Sequence, residues 1–139
     1  MPDAPRWTFL NCSNPDCRLR FPLDLSQHAG KYCPLCGSIL QKSDERLPQN
    51  ADREGAPAKR SDRRFVALLD NLRSAQNVGG IFRSADGAGF EKVYLCGISP
   101  TPKADRSVSK TALSAEQSLP WVKAPNSIDL AQSLLAEGF

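Results

Sequence analysis

The stretch 71–89, NLRSAQNVGGIFRSADGAG, constrains the fold more than any other, because it sets polar residues and glycines where a buried strand hands over to a helix. Before it, the run FVALL at 65–69 is almost unbroken in apolar character, as expected of a strand covered on both faces. Asn77 stands where an N-cap belongs, and Val78, Ile81, Phe82 and Ala85 follow at helical spacing. Apolar character returns at 92–96, KVYLC. The pattern predicts parallel strands near 64–70 and 92–98 with a helix near 78–88 between them. The segment 126–138 predicts a second amphipathic helix near 127–137, capped by Asn126 and closed by Gly138. In open parallel sheets ligands bind beyond the carboxyl ends of the strands. Asn71, Arg73, Asn77 and Arg83 cluster at that end and form the candidate site.

A different signal occupies the first third of the chain. Cys12-x4-Cys17 and Cys33-x2-Cys36 are two close pairs, near the spacing of a four-cysteine zinc site. Tetrahedral Zn²⁺ needs four soft ligands converging from two tight turns. Gly37 tolerates the positive φ that closes one such turn, and Asn14-Pro15-Asp16 supplies turn chemistry for the other. Leu19, Phe21 and Leu23 alternate with polar neighbours, so a short hairpin is expected between the pairs. The bland alternative is four reduced structural thiols; the paired spacing favours Zn²⁺. His28 reads as a solvated loop histidine, since four cysteines already suffice, and Cys96 as a buried core thiol.

Between the two regions, 41–62 carries both charges, two prolines and almost no large apolar side chains, and so reads as a flexible linker. Lys59, Arg60, Arg63 and Arg64 form a basic cluster at its end, either a solvated charge run or a contact to an RNA backbone. The domain reading is therefore a zinc-ribbon-like unit over 1–42, a linker over 43–62 and an α/β unit over 63–139. A net charge of +3 permits RNA contact without demanding it. No secretory leader pattern is present and no apolar run approaches the ~18 residues of a membrane span, so a cytoplasmic chain with reduced thiols is expected.

The residues Asn71-x-Arg73-x3-Asn77-x-Gly79-x3-Arg83-x-Ala85-Asp86-x2-Gly89 resemble the first signature motif of the SpoU (TrmH-type) branch of the SPOUT RNA methyltransferases. A second echo follows at 110–116, KTALSAE, and at Pro120-Trp121, with Ser114 standing where glycine is usual. The resemblance covers residues 64–139. It implies an incomplete SPOUT-type α/β fold with a parallel, Rossmann-like sheet, lacking the C-terminal knot. It also implies transfer of a methyl group from S-adenosylmethionine to a ribose 2′-hydroxyl of RNA, tRNA or rRNA, by a homodimer, with no role for DNA or membrane. The two motifs that build the family's knotted cofactor pocket are missing, and Phe139 ends the chain where a third parallel strand is expected. The cofactor residues are accordingly expected beyond Phe139, and this chain is expected neither to bind the cofactor tightly nor to methylate RNA alone.

By that resemblance Arg83 and Asn77 are the catalytic candidates. Arg83 would engage the 2′-hydroxyl and the neighbouring phosphate, by positioning and charge rather than as a base, since a guanidinium stays protonated. Asp86 stands three residues on, where an i,i+3 pair would hold the guanidinium. Asn71, Arg73, Gly79, Gly80, Arg63 and Arg64 are the substrate-binding candidates, the glycines because they would let a phosphate approach the helix start closely. Each has a structural alternative: Asn77 as cap alone, Arg83 as a surface ion pair, the glycines as tight helix–sheet contacts. A non-catalytic zinc-ribbon module that binds RNA or protein is the alternative function. A dinucleotide enzyme does not fit, because its glycine loop would have to follow a strand directly.

Overall fold

The computed structural model describes residues 6–45 and 64–139. Lys59, Arg60 and Arg63, together with most of the expected linker, lie outside the described residues. The first unit is a three-stranded antiparallel sheet in the order β2-β1-β3, with β1 Trp7–Cys12, β2 Arg20–Asp24 and β3 Leu40–Lys42. Its core is small: Leu10, Leu19, Phe21 and Leu40 pack with the buried Cys12 and Cys33. The hairpin differs from expectation, because it spans the first cysteine pair rather than lying between the two. β1 runs into Cys12, and β2 returns after Cys17 in register with it, Leu10 opposite Phe21.

The second unit is a parallel sheet in the order β4-β5-β6, with β4 Val66–Asp70, β5 Lys92–Cys96 and β6 Trp121–Ala124. The third parallel strand, expected past Phe139, is thus already present before the last helix. Pro120 and Pro125 bracket its four residues and hide it in the sequence. Helices α1 Ala75–Gly87, α2 Arg106–Ala112 and α3 Ala115–Ser118 contribute Val78, Phe82, Ala85, Val108, Ala112 and Ala115 to the core formed with Leu69, Val93 and Leu95. Tyr94 lies in register with Leu68 and Val122, a row covered only in part, Val122 being 44% exposed. Helix α4, Ser127–Ala136, packs beside β4; Asn126 caps it through the amides of Ile128 and Asp129, and Gly138 closes it at φ 92. None of the described helices is long and apolar enough to cross a membrane.

Two local departures have clear causes. Helix α1 begins at Ala75, and its cap is Ser74, whose hydroxyl accepts the amide of Asn77 at 3.2 Å. Ala75 and Gln76 favour helix and bring the start forward, so Asn77 is a first-turn residue and not the cap. Between α2 and α3 the chain reverses through Leu113 and Ser114 at φ 53 and 71. Ser114 therefore adopts the left-handed conformation that glycine takes without strain, which explains the glycine usual at this position in the resembled family.

Candidate functional site

The four cysteines of the first unit converge. Their sulfurs all lie within 4.8 Å of one another, with Cys12–Cys36 at 3.4 Å and Cys17–Cys33 at 3.8 Å. Four sulfurs held tetrahedrally about 2.3 Å from Zn²⁺ would stand about 3.8 Å apart, so the cage has the size of a zinc site. Two tight turns present the ligands. In one, Gly37 at φ 75 donates to the Cys33 carbonyl at 2.9 Å; in the other, Arg18 takes the corresponding φ of 48 and donates to Asn14. Hydrogen bonds from the Ser38 side chain and amide hold the Cys36 thiol down to about 6, whereas burial pushes Cys12 up to about 12. Cys36 is therefore the ligand that ionises most readily, and a cation in the cage would draw off the protons of the others. His28 is exposed and outside the cage, while Cys96 is fully buried, its thiol pushed up to about 11 by burial.

At the carboxyl ends of β4 and β5 the motif residues separate into two groups. Asn71, at φ 55, uses both ends of its amide within the protein: Oδ1 accepts the Ile98 amide at 3.1 Å and Nδ2 donates one hydrogen to Asp70 at 2.6 Å. It ties the loop after β4 to the loop after β5, so this substrate-binding candidate is occupied as a loop clamp. Gly79 is buried where α1 meets α2, and a Cβ there would strike the Val108 carbonyl and Thr111 hydroxyl. It is a close-packing position, against a helix rather than the sheet. Gly80 has open space above it, and Asn77 and Arg83 are exposed on the same helix. At 100° and 1.5 Å per residue, Arg83 lies about 9 Å along the axis and about 120° around from Asn77, with Gly80 between them. The expected Arg83–Asp86 pair is absent among the described residues; Asp86 instead accepts the Ser118 hydroxyl at 3.1 Å. Arg64 is removed from the site altogether. It precedes β4, at the opposite end of the sheet, where it pairs with Glu91 at 2.9 Å and stacks on Phe139. The exposed residues left at the site are Arg73, Asn77 and Arg83, with the half-buried Gly80 between the last two.

Three features escaped sequence reasoning. Ser99 is buried and bridges the strand ends, donating to the Leu69 carbonyl and accepting the Leu72 amide. Arg20, in β2, is buried although charged: its guanidinium lies over the Phe9 ring at 3.9 Å and 3.6 Å from Asp70, and its amide donates to the Pro125 carbonyl. The first unit thus docks on the strand ends, with Arg18–Asp129 at 2.7 Å as a second tie. Only the alternation of Arg20 with Leu19 and Phe21 hinted at a second buried face. Finally, Glu116 keeps one carboxylate oxygen buried without a hydrogen-bond partner.

No curated protein sequence matches the chain. Among solved structures it is similar to the SpoU methyltransferase AviRb from Streptomyces viridochromogenes, crystallised with the cofactor AdoMet, at a TM-score of 0.48 and 21% identity. The similarity takes in 75% of this chain but 40% of that one, so this chain spans about two-fifths of that protein's length. Residues 64–139, more than half of the chain, match the SpoU rRNA Methylase family. With its motif lying across the β4–α1 junction, the chain belongs to the SpoU rRNA Methylase family.

Proposed function

We propose that the protein acts in S-adenosylmethionine-dependent methylation of a ribose 2′-hydroxyl in tRNA or rRNA, with α1 forming the RNA side of the site. The observation that carries this reading is the family match over the strand–motif–helix unit, whose Asn77 and Arg83 are exposed on one helix with open space above Gly80 between them. A ribose hydroxyl is a weak nucleophile and must be oriented before it reacts. Arg83 would hold the adjacent phosphate and steady the hydroxyl oxygen as it loses its proton, while the Asn77 amide orients the sugar. Gly80 keeps the surface between them low enough for a backbone to approach. Arg73, at the end of the loop that Asn71 clamps, adds a second cationic contact. The four-cysteine cage would hold one structural Zn²⁺ in a reducing cytoplasm, with residues 1–42 and 63–139 acting as separate folding units.

S-adenosylmethionine, when bound, supplies the electrophilic methyl group. At the ends of β4 and β5, Asn71 and the Arg20 carbonyl cover Gly97. That covering favours a second reading, a non-catalytic RNA-binding module of the same descent. The two are separated with protein expressed from the complete reading frame and labelled S-adenosylmethionine. The enzyme reading expects label in RNA, with Arg83→Ala lowering turnover roughly 100-fold or more and leaving cofactor affinity within a few-fold. RNA binding without any transfer would establish the module instead.

A further inference from the structure

The docked ribbon creates a surface that neither unit has alone. The Arg20–Pro125 hydrogen bond and the Arg18–Asp129 pair fix its hairpin against the strand ends. Between the two units opens a cleft of about 380 Å³, with Trp7 and His28 on the ribbon side and Arg73 and Ile98 on the motif side. Trp7 and His28 also border a second cleft of about 470 Å³, lined as well by Arg6 and Lys42. The two clefts therefore share Trp7, which is 58% exposed although it is the largest kind of apolar side chain. One carboxylate, Asp24, borders the first cleft. It is buried and already accepts the Arg6 amide, the Ser26 amide and the Ser26 hydroxyl, which hold it below the usual carboxylate range. Asp24 stays an anion but is buried, and the exposed charged residues bordering the two clefts are the cations Arg73, Arg6 and Lys42, with the exposed Trp7 shared by both.

We infer that the two clefts form one track for an unpaired RNA strand leading to α1, with a base stacked on Trp7 and the flanking phosphates held by Lys42 and Arg6 on one side and Arg73 on the other. Cations alternating with an exposed aromatic face suit a single strand, whose bases offer π-faces and whose backbone offers regularly spaced charge. A duplex hides its base faces, and an acidic peptide has no use for the ring. Arg73 belongs both to the track and to the motif, so a strand in the track would run directly to the helix carrying Asn77 and Arg83. The inference rests on the reading of RNA as substrate.

The test uses the zinc-loaded full chain and a fluorescent single-stranded oligouridine, read by anisotropy across a salt series. Trp7→Ala and Trp7→Leu should each weaken binding about 5- to 100-fold without changing the salt slope, while Trp7→Phe stays near wild type. Lys42→Ala should reduce the slope by about 0.7. No RNA binding, binding indifferent to Trp7→Leu, or equal affinity for polyglutamate would each overturn the track. Normal methyl transfer by a Trp7→Leu protein from the complete reading frame would leave the catalytic reading standing while the track fails. A Trp7-dependent RNA affinity with no transfer would do the reverse.

Discussion

Gly79 and Gly80 are neighbours on α1 with opposite surroundings, and alanine at each should move stability in opposite directions. At Gly79 the added Cβ would lie 2.9 Å from the Ala112 amide nitrogen and closer still to the Val108 carbonyl and the Thr111 hydroxyl. Two of these three are backbone atoms of α2, which no rotamer change can move aside. Thr111 also reaches across to the Gln76 carbonyl at 3.1 Å, pinning the helices together. Restoring ordinary contact with the Val108 carbonyl requires α1 and α2 to part by roughly 1 Å, a gap that forfeits up to about half of the dispersion energy along the seam. Overpacking of this kind costs about 1–3 kcal/mol, and the better helix propensity of alanine offsets about 0.5–1 kcal/mol of it. Gly79→Ala should therefore destabilise by roughly 1–2 kcal/mol. At Gly80 nothing lies near the added methyl, so only the propensity gain remains, about 0.5–1 kcal/mol. Urea unfolding followed by far-UV circular dichroism should show the two midpoints moving to either side of wild type. Because Gly80 lies between Asn77 and Arg83, Gly80→Ala should also weaken RNA binding while stabilising the fold. A Gly79→Ala protein as stable as wild type would refute the helix contact.

Other outcomes follow from the ribbon. Purified protein should carry one zinc per chain by elemental analysis, and chelation should unfold residues 6–45 while leaving the parallel sheet. Cys12 and Cys17 are both held above the ordinary thiol range and must release protons on metal binding, so affinity should rise with pH and at least two protons per metal should appear near pH 7.5 by calorimetry in paired buffers. Arg20→Ala should cost roughly 2 kcal/mol, less than a fully buried pair because Asp70 is 35% exposed, and should raise amide exchange at 70–73 and 97–99; unchanged exchange there would mean that the ribbon does not brace the motif loop.

What the sequence disclosed and what it hid follow from one distinction. Continuous apolar runs at 65–69 and 93–96, the Asn126 cap and the cysteine spacing are local patterns, and each led to its element. The expected start of α1 fell three residues late because Ser74 and Asn77 are both capping residues, and the helix preference of Ala75 and Gln76 decides for Ser74. Helix α2 was not foreseen, since RSVSKTA is short and mostly polar and is organised by its Asp105 cap. The roles of Asn71, Gly79 and Arg64 are fixed by partners distant in sequence: Ile98, the α2 backbone, and Glu91 with Phe139. The docking of Arg20 on Asp70 is of the same kind, and so is the cleft it creates.

The central claim concerns where a methyl group is placed. Protein expressed from the complete reading frame should be incubated with bulk RNA and methyl-labelled S-adenosylmethionine, and the RNA then hydrolysed in alkali. Alkaline cleavage needs a free 2′-hydroxyl, so a methylated ribose survives as a dinucleotide joined to its neighbour. Label in alkali-resistant dinucleotides, lost with Arg83→Ala, is the predicted result. Label released in mononucleotides, which marks a methylated base, would contradict the account.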